Sequence, residues 1–250
     1  MSLLSSVKRG KEIKPRRTLL YSTKGLGKST FASMAPDPIF IQTEDGLSDI
    51  DAAKFPLCKT YQDLLAQIGT LYTEKHDFKT VALDTLDWAE QLWHAEVCRE
   101  NNVQSIEQIG YAKGYVFALK HLRVILDGLQ ALRDERGMGV ILLAHAGIEK
   151  FQDPQTDGYD RYVPCLHKAA SAVVQEWVDE VLFGQYKVFV KTDDQGFNKK
   201  QTKGVSTGER VIKTEERPSH VAKNRLNLPF EIPLNYNEYA KYFPTIEGAQ

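Results

Sequence analysis

Short apolar runs alternate, over the first 146 positions, with longer stretches whose apolar residues recur at helical spacing. "TLLYS" (18–22), "PIFIQTE" (38–44), "TVALDT" (80–85) and "MGVILLAHA" (138–146) read as strands, being too short and too continuously apolar for amphipathic helices. Gly27 to Ala35 reads as a helix, and residues 61–74 place Leu64, Leu65, Ile68, Leu71 and Tyr72 on one helical stripe. A further helix runs through Trp88, Leu92 and Trp93. Residues 112–136 then form a long amphipathic helix carrying Phe117, Leu119, Leu122, Ile125, Leu126, Leu129 and Leu132. Strands apolar on both faces and separated by helices predict an α/β fold, a mostly parallel sheet with helices on both faces. Past residue 176 the texture changes. "DEVLFGQYKVFVKT" and "ERVIKTE" read as strands joined without a long helix, an antiparallel C-terminal extension at the sheet edge. No linker rich in Gly, Pro or Ser splits the chain, so residues 15–250 are expected to be a single domain behind a flexible basic tail, residues 1–14.

Composition narrows the class. A 250-residue chain that is 42% hydrophobic and 26% charged buries roughly 70–75% of its unfolded surface in one core without metals or disulfides. A net charge of -1 gives no global attraction to nucleic acid, so any such surface must be local. Cys58, Cys98 and Cys165 lie far apart with no C-x-x-C pair, which reads as free thiols rather than a zinc site. The N-terminus lacks a signal-peptide apolar core and no run of eighteen apolar residues occurs, so the expected location is cytoplasmic, with no membrane partner.

Candidate chemistry begins where the first strand ends. Residues 22–30, "STKGLGKST", follow the phosphate-binding pattern G-x-x-x-x-G-K-[ST] except that Ser22 stands where the opening glycine belongs. Ser22, Thr23, Lys24, Gly25, Leu26, Gly27, Lys28, Ser29 and Thr30 are therefore the candidate nucleotide-binding residues. Gly25 and Gly27 let backbone N–H groups turn onto phosphate oxygens at a helix N-terminus. Lys28 would bridge the β- and γ-phosphates of ATP, and the Ser29 hydroxyl would ligate Mg²⁺. The bland alternative is a lysine-capped surface turn. Lys24 lies four positions before Lys28, not the five that the partitioning-ATPase variant of this loop requires.

Mg²⁺ needs a second carboxylate, and Asp84 ends a buried strand in the right place; the competing role is a helix N-cap. Hydrolysis needs a base for water. Beside Asp84 stands Thr85, which cannot serve, so Glu44 after the second strand is the candidate, against the alternative of a surface turn acid. His145, at the end of the fourth strand, could touch a γ-phosphate or be a hydrogen-bonded rim residue.

The order of these features, loop 22–29, Glu44, Asp84, His145, resembles the RecA-like P-loop NTPase core. "AKNR" (222–225) followed by "LP" is similar to the K-x-R element of RecA-like hexameric helicases and phage recombination ATPases. The resemblance covers roughly residues 16–235, and length, motif order and this C-terminal tail together look like the small phage-type RecA-like ATPases, some of which are single-strand annealing proteins of the Sak type. It implies an ATPase that acts on single-stranded DNA in recombination or annealing and assembles as a ring or filament. It also implies that Lys223 and Arg225 reach a neighbouring subunit's nucleotide, and that a single-strand binding protein is a partner. Ser22 for glycine and His145 for glutamine are the departures. Residues 187–225 carry ten Lys or Arg against five Asp or Glu. Within them "DDQGFNKKQTKGVSTG" reads as a mobile loop offering Lys199, Lys200, Lys203 and Phe197 to a single strand. Residues 151–162 occupy the place where RecA-like proteins keep a DNA loop, and Arg161, Tyr159 and Tyr162 suit the contact; the alternative is a charged hairpin that is only a solvated edge. Competing functions are a helicase or packaging-type motor and a nucleotide-gated DNA-binding or assembly module with little hydrolysis. A small-molecule kinase is disfavoured by the lack of a basic lid.

Overall fold

The computed structural model describes residues 3–7, 9–10, 12–152, 157–194 and 200–244, without the side chains of 188–207. Its elements in chain order are β1 (Arg17–Ser22), α1 (Lys28–Ser33), β2 (Pro38–Gln42), β3 (Ala53–Lys54), α2 (Tyr61–Thr73), β4 (Thr80–Asp84), α3 (Leu86–Glu100) and α4 (Lys113–Glu135). They continue with β5 (Gly139–Phe151), β6 (Tyr159–Pro164), α5 (Lys168–Trp177), β7 (Glu180–Asp194), β8 (Lys200–Lys213), β9 (Glu231–Pro233) and α6 (Tyr236–Ala240). Leu3–Ser6 and Ile106–Gln108 are short 3-10 helices.

The sheet runs β3-β2-β4-β5-β1-β7-β8-β9, with β6 paired to β5. β3, β2, β4, β5, β1 and β7 run parallel to one another, while the β5–β6, β7–β8 and β8–β9 pairs are antiparallel. The expected mostly parallel sheet with an antiparallel C-terminal extension is therefore the fold. Alternation along each strand feeds two cores. Leu19, Tyr21, Ile41, Val81, Leu83 and Leu142 face helices α2 to α5 and the fully buried Trp93. Leu20, Phe40, Ala82, Ile141, Leu143, Leu182 and Ile212 face α1, α6 and the Phe31 ring. Truncating a side chain such as Trp93 would cost roughly 3–5 kcal/mol.

Local signals explain the helices. Thr60 caps α2 by accepting from the Asp63 N–H at 3.1 Å while the Asp63 carboxylate accepts from the Thr60 N–H at 2.9 Å, a reciprocal capping box. Asp84 does not cap α3, and Thr85 occupies the cap without a side-chain bond, so both are left for other work.

Three expectations are corrected. β5 does not stop at residue 146 but continues to Phe151 and folds back as β6, so Tyr159, Arg161 and Tyr162 stand on a strand rather than a loop. Residues 200–208, expected in a mobile loop, belong to β8, with Lys200 opposite Asp194 and Lys203 opposite Lys191. β7 pairs with β8 antiparallel on both sides of a register shift between Tyr186 and Val188. Phe197 and Lys199 lie outside the described residues. Helix α5 appears between β6 and β7, where no helix is expected from the sequence.

Candidate functional site

The loop 22–30 leaves β1 between its two parallel neighbours, at the C-terminal ends of the strands, where open α/β sheets bind ligands. Ser22 pairs with His145 of β5 on one side and Gly184 of β7 on the other. Gly184 supplies the room that the missing first glycine would otherwise give. A Cβ there would lie 3.1 Å from Ser22 Cβ and 2.8 Å from Leu26 Cδ2. Ser22 itself is buried, its hydroxyl donating to the Thr23 carbonyl at 2.9 Å. Gly25 (φ 72°) and Gly27 (φ 106°) both occupy the left-handed region that the loop needs. Leu26 turns its side chain into the core and offers the site only backbone. Thr23 and Lys24 are exposed.

A cavity of about 290 Å³ opens above this loop, and Lys28, Ser29, Glu44, Asp84 and His145 all line it. A larger apolar cavity at the opposite end of the sheet, beside Thr18 and Tyr236, holds no such constellation. Lys28 is 7% exposed. Burial pulls its ammonium below the usual lysine range, opposed by the charges of Asp84, Asp87 and Glu44. The Ser29 hydroxyl donates to Asp84 at 2.6 Å. Burial raises the Asp84 carboxyl, with Ser29 and Lys28 pulling the other way.

The ends of β2 and β4 are stitched together. The Thr43 and Glu44 N–H groups both donate to the Asp84 carbonyl, at 2.8 and 3.3 Å. The Thr85 hydroxyl donates to Glu44 at 3.4 Å. Glu44 is thereby held at the mouth of the cavity, with the His145 Nε2 atom 3.8 Å from its carboxylate. The other ring nitrogen of His145 is 2.8 Å from Asp87, whose second oxygen accepts the His145 backbone N–H at 2.9 Å. Burial pushes the Asp87 carboxyl up, but the bonds from His145 outweigh it and hold it below the usual range. Asp87 thus fixes the histidine and directs Nε2 toward Glu44. It was not anticipated from the sequence, because an acid in the first turn of a helix is commonplace.

The Ser29 hydroxyl and the Asp84 carboxylate are hard oxygen donors on one wall. Such a pair fits Mg²⁺, which keeps waters and takes phosphate oxygens for the rest of its shell. When bound there, Mg²⁺ would neutralise charge developing on the terminal phosphates. Lys28 would hold the same phosphates, and Glu44 stands where a water opposite them would be polarised.

The remaining expected site residues lie elsewhere. Lys223 donates three bonds into the C-terminal turn of α5, to the carbonyls of Gln175 (2.8 Å), Glu176 (3.0 Å) and Val178 (2.6 Å). Arg225 is half exposed and pairs with Asp179 at 3.3 Å. Asp179 sits beside Arg17, five residues before Ser22, so about 16 Å of strand separates it from the loop. Arg161 lies over the Phe151 ring at 4.0 Å and pairs with Glu216 at 3.4 Å.

A family profile described as AAA domain matches residues 14–226. The chain belongs to this AAA-domain family. Solved structures of similar shape include the crystal structure of the RadB recombinase, at 14% identity, 80% of each chain and a TM-score of 0.45. At that distance the likeness bears on neither substrate nor activity. No curated protein matches. Within the AAA domain, the loop 22–30 falls near the start of the matched region and the Lys223–Arg225 element at its end. No helix among the described residues is long and apolar enough to cross a membrane.

Proposed function

We propose that this AAA-domain protein is a RecA-like Mg-ATPase that binds ATP at loop 22–30 and hydrolyses it with Glu44 as the base for water. The observation that carries the reading is the convergence of Lys28, the Ser29–Asp84 pair, Glu44 and His145 on one cavity at the strand ends. Lys28 and the loop N–H groups bind the β- and γ-phosphates. Asp84 and Ser29 hold the metal, Glu44 takes the proton from water, and His145, oriented by Asp87, meets the γ-phosphate side of the cavity.

The biological setting we favour is single-stranded DNA in phage-type recombination or annealing, inside the cytoplasm, in a homo-oligomer. Support comes from the excess of Lys and Arg in residues 187–225 and from Arg225, which no phosphate bound in its own subunit can reach. Arg225 serves a neighbour's nucleotide, and the β7–β8 hairpin, with Lys200 and Lys203, contacts the strand together with the Arg161 edge of β6. The test is ATP turnover with and without single-stranded DNA, with Lys28→Ala as the control. Turnover that needs Lys28 and rises with DNA is expected. Turnover unchanged in Lys28→Ala refutes the site, and turnover indifferent to DNA removes the substrate.

A further inference from the structure

The catalytic groups crowd one side of the phosphate-binding loop. Asp84 ends β4, Glu44 follows the end of β2, and His145 lies in β5, all on the same flank of β1. They fix where the terminal phosphates lie, so the nucleoside end must leave toward the other flank, over β7 and β8. On that flank stands an arrangement that the hydrolytic reading does not use.

Arg210 of β8 donates from Nη1 to the Leu26 carbonyl at 3.1 Å. The guanidinium lies so close over the loop that a Cβ on Gly27 would meet Nη1 at 2.8 Å and Leu234 Cδ2 at 4.0 Å. Arg210 is exposed, and among the described residues no carboxylate pairs with it. The residue opposite it on β7 is Tyr186, 42% exposed. Cross-strand partners share a face, and two pairs further back, on the same face, Gly184 and Ile212 also face Leu26 and the α1 core. An exposed phenol ring, an uncompensated guanidinium and a half-buried leucine therefore share the rim of the loop opposite the metal side. A planar guanidinium and an aromatic ring are the surfaces on which flat heteroaromatic rings stack.

We infer that Tyr186, Arg210 and Leu234 form the seat of the nucleobase, supplied by the same subunit that holds the phosphates. The inference rests on the nucleotide reading above and adds to it which part of the ligand each flank takes. Lys28 and the loop bind the phosphates whatever they carry; Tyr186 and Arg210 recognise the nucleoside.

The two probes that separate these roles are ATP and inorganic tripolyphosphate, titrated calorimetrically into the full chain with Mg²⁺. Arg210→Ala and Tyr186→Ala should each weaken ATP by about tenfold, the scale of one lost stacking contact, and leave tripolyphosphate unchanged. Arg210→Lys keeps the charge without the planar face and should lose ATP affinity nearly as far. Both side chains are exposed, so melting temperatures should stay at the parent value, which separates a lost seat from lost folding. A loss shared equally by ATP and tripolyphosphate would make Arg210 a brace for the loop and overturn the seat. So would unchanged ATP affinity in both variants, or an unsubstituted protein that binds the two probes equally. An unsubstituted protein that binds neither probe would overturn the nucleotide reading itself, and the seat with it.

Discussion

Lys223 can be assigned by stability before any activity is measured. Its ammonium sits at the C-terminus of α5 and donates to three carbonyls at 2.6–3.0 Å, groups that a helix end otherwise leaves to water. A cation there gains from the helix dipole by roughly 0.3–1 kcal/mol, and up to about 2 when partly buried. Charged hydrogen bonds contribute about 1.5–3 kcal/mol each. Against this stands the cost of burial, which holds the Lys223 ammonium below the usual lysine range, with Arg225 adding repulsion. Some of the freed carbonyls would also recover water. The balance for Lys223→Met is a loss of about 2 kcal/mol. For a chain of this size that lowers the melting temperature by about 4–8 °C. Arg225→Ala is the comparator. Its side chain is 54% exposed with a single 3.3 Å contact to Asp179, worth at most about 1 kcal/mol. Differential scanning calorimetry of the two variants decides the matter. A Lys223→Met protein that melts with the parent, yet has lost ATP turnover, would refute the structural assignment and return Lys223 to the pair of cations offered to a neighbour.

Four further outcomes follow from the same geometry. Glu44→Gln should keep ATP affinity but lower single-turnover hydrolysis by about 10²–10⁴, the usual worth of a general base; near-parental turnover would relocate the base. Glu90 of α3 is buried with its Oε1 atom accepting no hydrogen bond, His94 Nε2 standing 4.0 Å away, and burial pushes its carboxyl up to about 7. Because the folded value lies above the unfolded one, Glu90 binds its proton more tightly in the native state, so stability is full below about pH 4.5 and falls as pH rises to about 7, by about 3 kcal/mol. Glu90→Gln should abolish that slope in urea titrations across this range, and an unchanged slope would exclude Glu90 as its source. Gly184→Ala should cost about 1–3 kcal/mol through overpacking against Leu26 and Ser22 and weaken ATP binding, both measurable by melting with and without nucleotide. Mixing Arg225→Ala with Lys28→Ala subunits should restore turnover if Arg225 acts on a neighbour, and confirmed mixed assemblies without activity would count against it.

The parts of this molecule that were legible in the sequence are those whose signal is local. β1, β2, β4 and the start of β5 are continuous apolar runs, and the loop, Glu44 and Asp84 sit at fixed offsets from them. Period and spacing therefore place all three at one end of one sheet. What stayed hidden depends on register between distant segments. Gly184 compensates Ser22 only because β7 pairs with β1 at that residue. Arg210 reaches Leu26 only because β8 brings it opposite Tyr186. Asp87 orients His145 across a separation of 58 residues. Residues 200–208 read as a loop because "KQTKGVSTG" is polar and carries two glycines, and a strand without an apolar face has no period to detect. Lys223 is the instructive case. The alternation of Lys223 and Arg225 around Asn224 is visible in the sequence, but the helix end that engages Lys223 belongs to α5, which the sequence did not reveal.

These placements assign the ends of the sheet different tasks. The C-terminal ends of β1, β2, β4 and β5 surround the cavity proposed for the phosphates and metal, and β7 and β8 border the side on which a nucleoside would emerge. The N-terminal end carries Asp179, which pairs with Arg17 and Arg225, and Glu180, which pairs with Arg16. These contacts anchor the end of the sheet remote from the loop. Strands are stiff, and about 16 Å of β1 lies between the two ends, so no side-chain rotation brings Arg225 to the phosphates of its own subunit. Any phosphate that Arg225 meets must therefore be presented by another molecule, its loop end facing this subunit's Asp179 end. That is a head-to-tail contact, and head-to-tail contacts close into rings or run on as filaments rather than stopping at a two-fold dimer. If Arg225 contributes to turnover, hydrolysis and higher assembly are consequences of the same geometry, and an isolated subunit would bind ATP without using it efficiently.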